Sequence, residues 1–320
     1  MKIFLTGASG FVGGAIAHQL SKSHDVYALS RSESSDKKLA SYKVKRVRGD
    51  LHTLHIEMFT NIDVVIHCAA FVGPWGSRED FWHGNVVGTK NLLALAKEAG
   101  VKRFIHMGTE AAVFSGVDLE DIDETYPYPK KTPYLYSTTK QEAEKLVLAA
   151  ATDSFECIVL RPRLVWGKGD TSVLPTVKRL VLQGNFMWLD GGKKLTSTTN
   201  IKNLVHATEL VLTKGFNRQI YFITDDIYIS YFDFLTQYLG TQNIKIPQKS
   251  IPASLASSAA YLVEAIWNLF KIKKEPPLMR FATDVMARTC TIKIDKAKQE
   301  LGYIPLIGIK EGMAEMLAQT

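Results

Sequence analysis

The strongest constraint on this chain lies at its start. Lys2 to Thr6 forms a short apolar strand that runs directly into Thr6-Gly7-Ala8-Ser9-Gly10-Phe11-Val12-Gly13. From Phe11 to Ser21 the apolar residues then recur at helical spacing. A strand, a glycine turn and a helix in immediate succession open a βαβ crossover, and that unit requires a parallel sheet with helices on its faces. Glycines there permit a tight turn and close backbone approach. The N–H groups that open the helix offer donors and the positive end of a dipole to a pyrophosphate. A glycine-rich turn alone has a plain structural reading, so the rest of the chain has to support the functional one.

The alternation continues. Asp25 to Leu29, Val44 to Val47, Asp63 to His67, Arg103 to Met107 and Glu156 to Leu160 read as strands. Asp80 to Ala99 and Tyr136 to Ala150 read as helices. These patterns predict an α/β protein: a doubly wound parallel sheet of the Rossmann type over residues 1–165, with a smaller C-terminal substrate-binding lobe over 166–320. Segments of about 196–225 are expected to return to the first domain. Segments 204–213 and 231–239 have helical spacing. A ligand would then bind beyond the carboxyl ends of the strands.

Composition narrows the function. Lys and Arg number 39 against 32 Asp and Glu, a net charge of +7, but the basic residues are spread out and carry no aromatic interleaving. Nucleic-acid binding is not expected. Cys68, Cys157 and Cys290 lack metal-ligand spacing, and two lie in apolar runs, as buried free thiols do. No signal peptide precedes the first strand, so a cytoplasmic location is expected. Residues 251–270 are apolar but carry Glu264, Asn268 and serines, so a spanning helix is not expected. In that segment Leu255, Ala259, Leu262, Ile266 and Leu269 form one stripe, and Ser257, Tyr261, Glu264, Asn268 and Lys271 form a more polar one. The apolar stripe is read as packing on the lobe. Alternatively it walls a pocket for a bulky substrate, or docks shallowly on a membrane with Lys271, Lys273 and Lys274.

Several residues carry chemistry. Arg31 follows the second strand about twenty residues after the glycine turn, where a guanidinium suits the 2′-phosphate of NADP; Glu33 keeps NAD as the alternative. Asp50 and Leu51 follow the third strand, where a carboxylate can accept from adenine, although an aspartate there also serves as an N-cap. The small Ala69 and its neighbours at the end of the fourth strand would let a cofactor pass closely. Tyr136 and Lys140 share one helix face. A lysine cation would draw the phenol's pKa down and fit it to exchange a proton with a carbonyl or alcohol. Thr109, just past Met107, is placed to donate to the substrate oxygen. Tyr134 is no rival, because Thr138 and not a lysine follows it at the same spacing.

Here the chain resembles the extended short-chain dehydrogenases/reductases, closest to the 3β-hydroxysteroid dehydrogenase-like branch. Thr6 to Gly13 is similar to their TGxxGxxG turn, and Asp63 to Ala70 to their DxVxHxAA strand. Asn85-Val86-Val87-Gly88-Thr89 matches NVxGT, and Tyr136 to Lys140 matches YxxxK. Arg161 to Gly167 resembles RPxxVyG, and Lys296 to Tyr303 resembles KAxxxLGY. The resemblance implies that Thr109, Tyr136 and Lys140 are catalytic. It also implies that Gly7, Gly10, Phe11, Val12, Arg31, Asp50, Leu51, Ala69, Tyr136, Lys140 and Pro162 surround the dinucleotide, with Asn85 supporting the backbone. A homodimer through 80–99 and 136–150 is a further implication. One departure stands out: the family's serine pair is replaced by Gly108-Thr109.

The expected activity is therefore interconversion of a ketone and a secondary alcohol on a small hydrophobic, sterol-like or β-oxo lipid-like substrate with NADP(H). A sugar-nucleotide epimerase or dehydratase with bound NAD is the alternative. It is disfavoured because Arg288-Thr289-Cys290-Thr291 lacks the Arg-x-Gly-Asp stretch typical of those enzymes. A dinucleotide-binding sensor without catalysis is the second alternative, although such proteins tend to lose the tyrosine or lysine.

Overall fold

A computed structural model of the protein describes residues 1–73 and 75–318. Its main sheet has seven strands: β1 (Lys2–Thr6), β2 (Asp25–Ser30), β3 (Lys45–Arg48), β4 (Val64–His67), β5 (Arg103–Met107), β6 (Glu156–Pro162) and β7 (Gln219–Ile223). They lie side by side in the order β3-β2-β1-β4-β5-β6-β7, all parallel. Residues 2–5 of β1 pair with 25–28, and 3–6 pair with 64–67. The strand order reverses direction between β1 and β4, which places a crevice for ligand at their carboxyl ends. Every residue of β4 is buried, as expected of a strand covered on both faces. At the open edge, β3 keeps only Val47 partly inside, which fits its alternation of basic and apolar residues.

Helices α1 (Phe11–Leu20), α2 (Gly88–Glu98), α3 (Leu135–Ala150) and α4 (Ile201–Leu210) cover the sheet. The helix expected over Asp80 to Ala99 is interrupted. A short helix, Arg78–Trp82, opens with a capping box between Ser77 and Asp80, and a π-helical turn, His83–Val87, then precedes α2. Such turns insert one extra residue and commonly mark functional sites. Here the turn presents Asn85 inward: its Oδ1 accepts from Phe71 N at 2.6 Å, and its Nδ2 donates to Thr139 Oγ1 at 3.0 Å.

Beyond β6 the chain builds a second core around Trp166, Phe186, Trp188, Phe234, Tyr238 and Met313. A four-stranded sheet made of 119–122, 195–196, 229–230 and 290–292 joins this lobe to the first. The chain returns to the main sheet through β7. No described helix is long and apolar enough to cross a membrane. The three cysteines are free, with Cys157 and Cys290 buried.

One helix faces the opposite way from its expected orientation. In α5 (Ala253–Leu269) the buried residues are Ala253, Ala256 and Ala260. Leu262 and Leu269, assigned to the packed stripe, are 61% and 75% exposed. The reason lies in the adjacent α6 (Arg280–Ala287). Small alanines let the two helices approach, and two side chains of the polar stripe satisfy α6 from inside. Ser257 Oγ donates to Asp284 at 2.8 Å, and the Glu264 carboxylate accepts from Arg280 N at 2.7 Å, capping the first turn. Leu262 and Ile266 therefore do not wall a pocket.

Candidate active site

The glycine turn lies where β1 meets the end of β4. Gly7 has φ +74°, and a Cβ on it would come within 2.7 Å of Ala69 N. A Cβ on Gly13 would stand 2.2 Å from the Gly7 carbonyl oxygen. Gly10 N donates to that same carbonyl at 2.9 Å. No side chain caps α1, so the amides opening at Phe11 and Val12 face the crevice without a local acceptor. This backbone cradle at a helix start fits the pyrophosphate of a dinucleotide. Ala69 donates its N–H to Thr6 Oγ1 at 3.2 Å, and Pro162 ends β6 in a buried position.

A hydrogen-bonded thread ties this cradle to α2 and α3. Thr89 Oγ1 donates its single proton to the Asn85 carbonyl at 2.6 Å. Its oxygen must then accept from His67 Nε2 at 2.9 Å, which leaves Nδ1 to accept from Thr6 Oγ1 at 2.7 Å. Burial holds the imidazole neutral, with its pKa lowered to about 3. Every donor in this buried thread has an acceptor, as a rigid polar element in a low-dielectric interior requires.

The other expected cofactor residues divide into two groups. Arg31 stands exposed just past β2 and makes no hydrogen bond or ion pair among the described residues. Asp50 is engaged locally: its Oδ1 accepts from His52 N at 2.7 Å and from Thr53 N at 3.1 Å. That is a turn closed on its own backbone and not the N-cap the sequence left open, because the next helical turn begins only at Ile56 with His55 before it. Leu51 packs against α2, so closely that a Cβ on Gly88 would meet it at 2.7 Å.

On α3 the inner face is polar, with Ser137, Lys140, Gln141 and Glu144 buried. Lys140 Nζ donates to the Met107 carbonyl at 2.7 Å and lies 3.4 Å from His106 Nε2. Burial lowers its pKa to about 8 against the opposing pull of Glu144. Tyr136 is partly buried, with Phe281 edge-on to its ring at a centroid distance of 5.7 Å. Burial pushes the phenol's pKa up and the Glu110 carboxylate adds to that rise, while the neighbouring Thr109 hydroxyl opposes it. The direction is opposite to the expected lowering by Lys140, because the loss of hydration on burial outweighs what lowers the phenol's pKa.

Thr109 stands at the end of β5 as expected, but its hydroxyl is engaged. Oγ1 donates to Glu110 Oε2 at 2.9 Å and accepts from Ala111 N at 3.2 Å. Gly108 also has a physical reason. A Cβ there would lie 2.4 Å from Glu144 Oε1 and 2.8 Å from Val159 Cγ1. The space a serine would need is filled by the buried Glu144, which receives both Nε and Nη2 of Arg161 and the hydroxyl of Tyr128.

Two buried ion pairs escaped the sequence reading. Glu110 pairs with Arg163, whose Nη2 also donates to Tyr231 Oη at 2.6 Å; Tyr231 in turn donates to the Val285 carbonyl on α6. Arg161 and Arg163 stood in a recognised segment, but no periodicity links them to Glu144 or Glu110, which lie far off along the chain. Tyr134 is engaged as well, since its hydroxyl donates to Asp284 Oδ2 at 2.6 Å. That contact removes it as a proton donor independently of the missing lysine.

The family model for the NAD dependent epimerase/dehydratase family matches residues 3–223. The chain belongs to that family. Within it, this extended short-chain dehydrogenase/reductase is 35% identical to a 4-hydroxy-2-methyl-3-oxo-4-farnesyl-3,4-dihydroquinoline-1-oxide ketoreductase of Stigmatella aurantiaca, over 98% of this chain and 95% of that one. A 2-alkyl-3-oxoalkanoate reductase of Stenotrophomonas maltophilia is 30% identical over 100% and 99%. A UDP-glucuronic acid 4-epimerase of Bacillus cereus, solved in complex with NAD, superimposes with a TM-score of 0.75 at 19% identity, over 100% and 99% of the two chains. That last likeness is one of fold. The chain is thus an enzyme of the NAD(P)-dependent type.

Proposed function

We propose that the protein is an NADP(H)-dependent ketoreductase, or the reverse alcohol dehydrogenase, acting on a hydrophobic β-oxo or sterol-like substrate. The observation that carries this reading is the apolar wall at Tyr136. Phe281 packs on Tyr136 and on Tyr134, and Phe114 stacks on Tyr134 at 5.5 Å between ring centroids. A sugar nucleotide asks for polar partners. Arg288, in the region where its enzymes show an Arg-x-Gly-Asp stretch, is held by the Gly116 carbonyl at 2.8 Å. The names of the two relatives, a ketoreductase and an oxoalkanoate reductase, support the same class.

A nicotinamide nucleotide held by the glycine turn would supply or accept the hydride. Tyr136 gives its phenolic proton to the carbonyl oxygen as negative charge develops there, or takes it from the alcohol in reverse. The Thr109 hydroxyl, turning from Glu110 toward the cleft, donates to the same oxygen and fixes its angle. Lys140 would hold the ribose hydroxyls of a bound nicotinamide nucleotide. Gly7, Gly10, Phe11, Val12, Ala69 and Pro162 form the remaining cofactor wall, with Asp50 and Leu51 at the adenine end. A homodimer through α2 and α3 completes the reading.

Arg31 carries the preference for NADP, since its free guanidinium suits a 2′-phosphate. Titration of NADPH and NADH should show tighter NADPH binding. Arg31→Ala should narrow the gap by about 1.5–3 kcal/mol, mainly by weakening NADPH. Equal wild-type affinities would return the assignment to NAD. Oxidation of NADPH should proceed with an apolar 2-alkyl-3-oxo ester and not with UDP-glucose. Conversion of the sugar nucleotide with the ester left untouched would establish the epimerase alternative.

A further inference from the structure

The outward face of α5 carries a long apolar stripe, interrupted by the exposed Ser258. Leu255, Leu262, Ile266, Leu269 and Phe270 are all exposed, and they follow helical spacing. Within Ala253–Leu269 the one ionisable acid or base with a charge at neutral pH is Glu264, and it is turned inward to cap α6. A helix facing water normally places its polar residues there, and a contiguous exposed apolar stripe marks an interaction surface. Directly after the stripe come Lys271, Lys273 and Lys274, all exposed and without an ion pair among the described residues.

We propose that this face docks on an anionic lipid surface, with the leucine, isoleucine and phenylalanine side chains at the acyl boundary and the three lysines among the headgroup phosphates. Charge decides between occupants. Protein interfaces are depleted in lysine, whereas anionic headgroups attract clustered lysines beside an apolar helix face. The location gives the docking a use, in a clause that rests on the ketoreductase reading. The layer beneath α5 is α6, which puts Phe281 against Tyr136 and Asp284 between Ser257 and Tyr134. Trp75 Nε1 ties the loop after β4 to the same end of α5 through the Ile272 carbonyl at 3.2 Å. An apolar ketone dissolved in a bilayer would reach the cleft without crossing water.

The test is sedimentation of the full chain with phosphatidylcholine vesicles, with and without phosphatidylglycerol. It reads binding directly and needs no turnover, so it stands or fails apart from the proposed activity. Binding is expected with phosphatidylglycerol and should weaken as salt rises. Each Lys→Gln change at 271, 273 or 274 should weaken it about fivefold. Leu262→Asp or Ile266→Asp should weaken it about tenfold or more, with an unfolding midpoint close to wild type because both positions are exposed. Absence of binding to either vesicle, or undiminished binding by the Asp variants, would overturn the proposal. So would a concentration-dependent dimer that Leu262→Asp dissociates while vesicles stay unbound, since a second copy would then cover this face.

Discussion

At the scale of single residues, burial raises the pKa of Tyr136, the proposed proton donor, and a carboxylate that the sequence did not reveal adds to the rise. The negative charge of Glu110 helps hold the Tyr136 phenol protonated, and Arg163 and Thr109 fix that carboxylate in place. Glu110 is thus a positioning residue whose effect shows in a pH profile. Alcohol oxidation requires the phenolate, so its rate rises with pH through the phenol's pKa. Ketone reduction requires the phenol and falls through the same pKa. In Glu110→Gln the raising charge is gone and the Arg163 cation is left uncompensated, so both limbs should move to lower pH. The same change should destabilise the fold by about 3–5 kcal/mol, the usual cost of leaving one buried charge unpaired. Unmoved limbs in a variant that still folds would show that Glu110 serves packing alone. Gly108 gives a second prediction. A serine there collides with Glu144, which its bond to Arg161 keeps from moving, so Gly108→Ser should lower stability by about 1–3 kcal/mol. A denaturant midpoint equal to wild type would mean that the pair can yield.

At the scale of elements, legibility followed chain-local signals. Six of the seven strands of the main sheet were readable because each is a short, largely apolar run between turn residues; β1 and β5 match their expected spans, β2, β3, β4 and β6 lie within two residues of theirs, and β7 was expected only as part of a segment returning at about 196–225. The run Leu119–Ile122 was not readable, since its two central residues, Glu120 and Asp121, are acidic. Its strand character comes from pairing with Cys290–Ile292, far along the chain. The π-helical turn at His83–Val87 likewise has no periodicity signal; it follows from the tertiary bonds of Asn85. The orientation of α5 was misjudged for a related reason. Hydrophobic spacing identifies an apolar face but not what covers it, and Glu264 and Ser257 acquire their inward role only once α6 lies beside them. The packed side is the alanine face, joined by Ser257 and Glu264 because these two bond a helix that the local pattern did not reveal.

At the scale of the whole molecule, the two lobes are joined through bonds that connect the glycine turn, α3 and α6. The thread from Ala69 through Thr6, His67 and Thr89 to Asn85 joins the glycine turn to α3. Glu110, Arg163 and Tyr231 join β5 to α6. The family motifs located one end of nearly every such bond, whereas the partners came from the fold. The central claim is that this assembly delivers a proton from Tyr136 to a ketone as hydride arrives. Single-turnover oxidation of NADPH with a saturating apolar 2-alkyl-3-oxo ester, in wild type and in Tyr136→Phe, tests it most directly. The account predicts a loss of about 10²-fold or more in the variant, the scale of a general acid, with NADPH affinity nearly unchanged. A Tyr136→Phe protein that keeps most of the wild-type rate would contradict it.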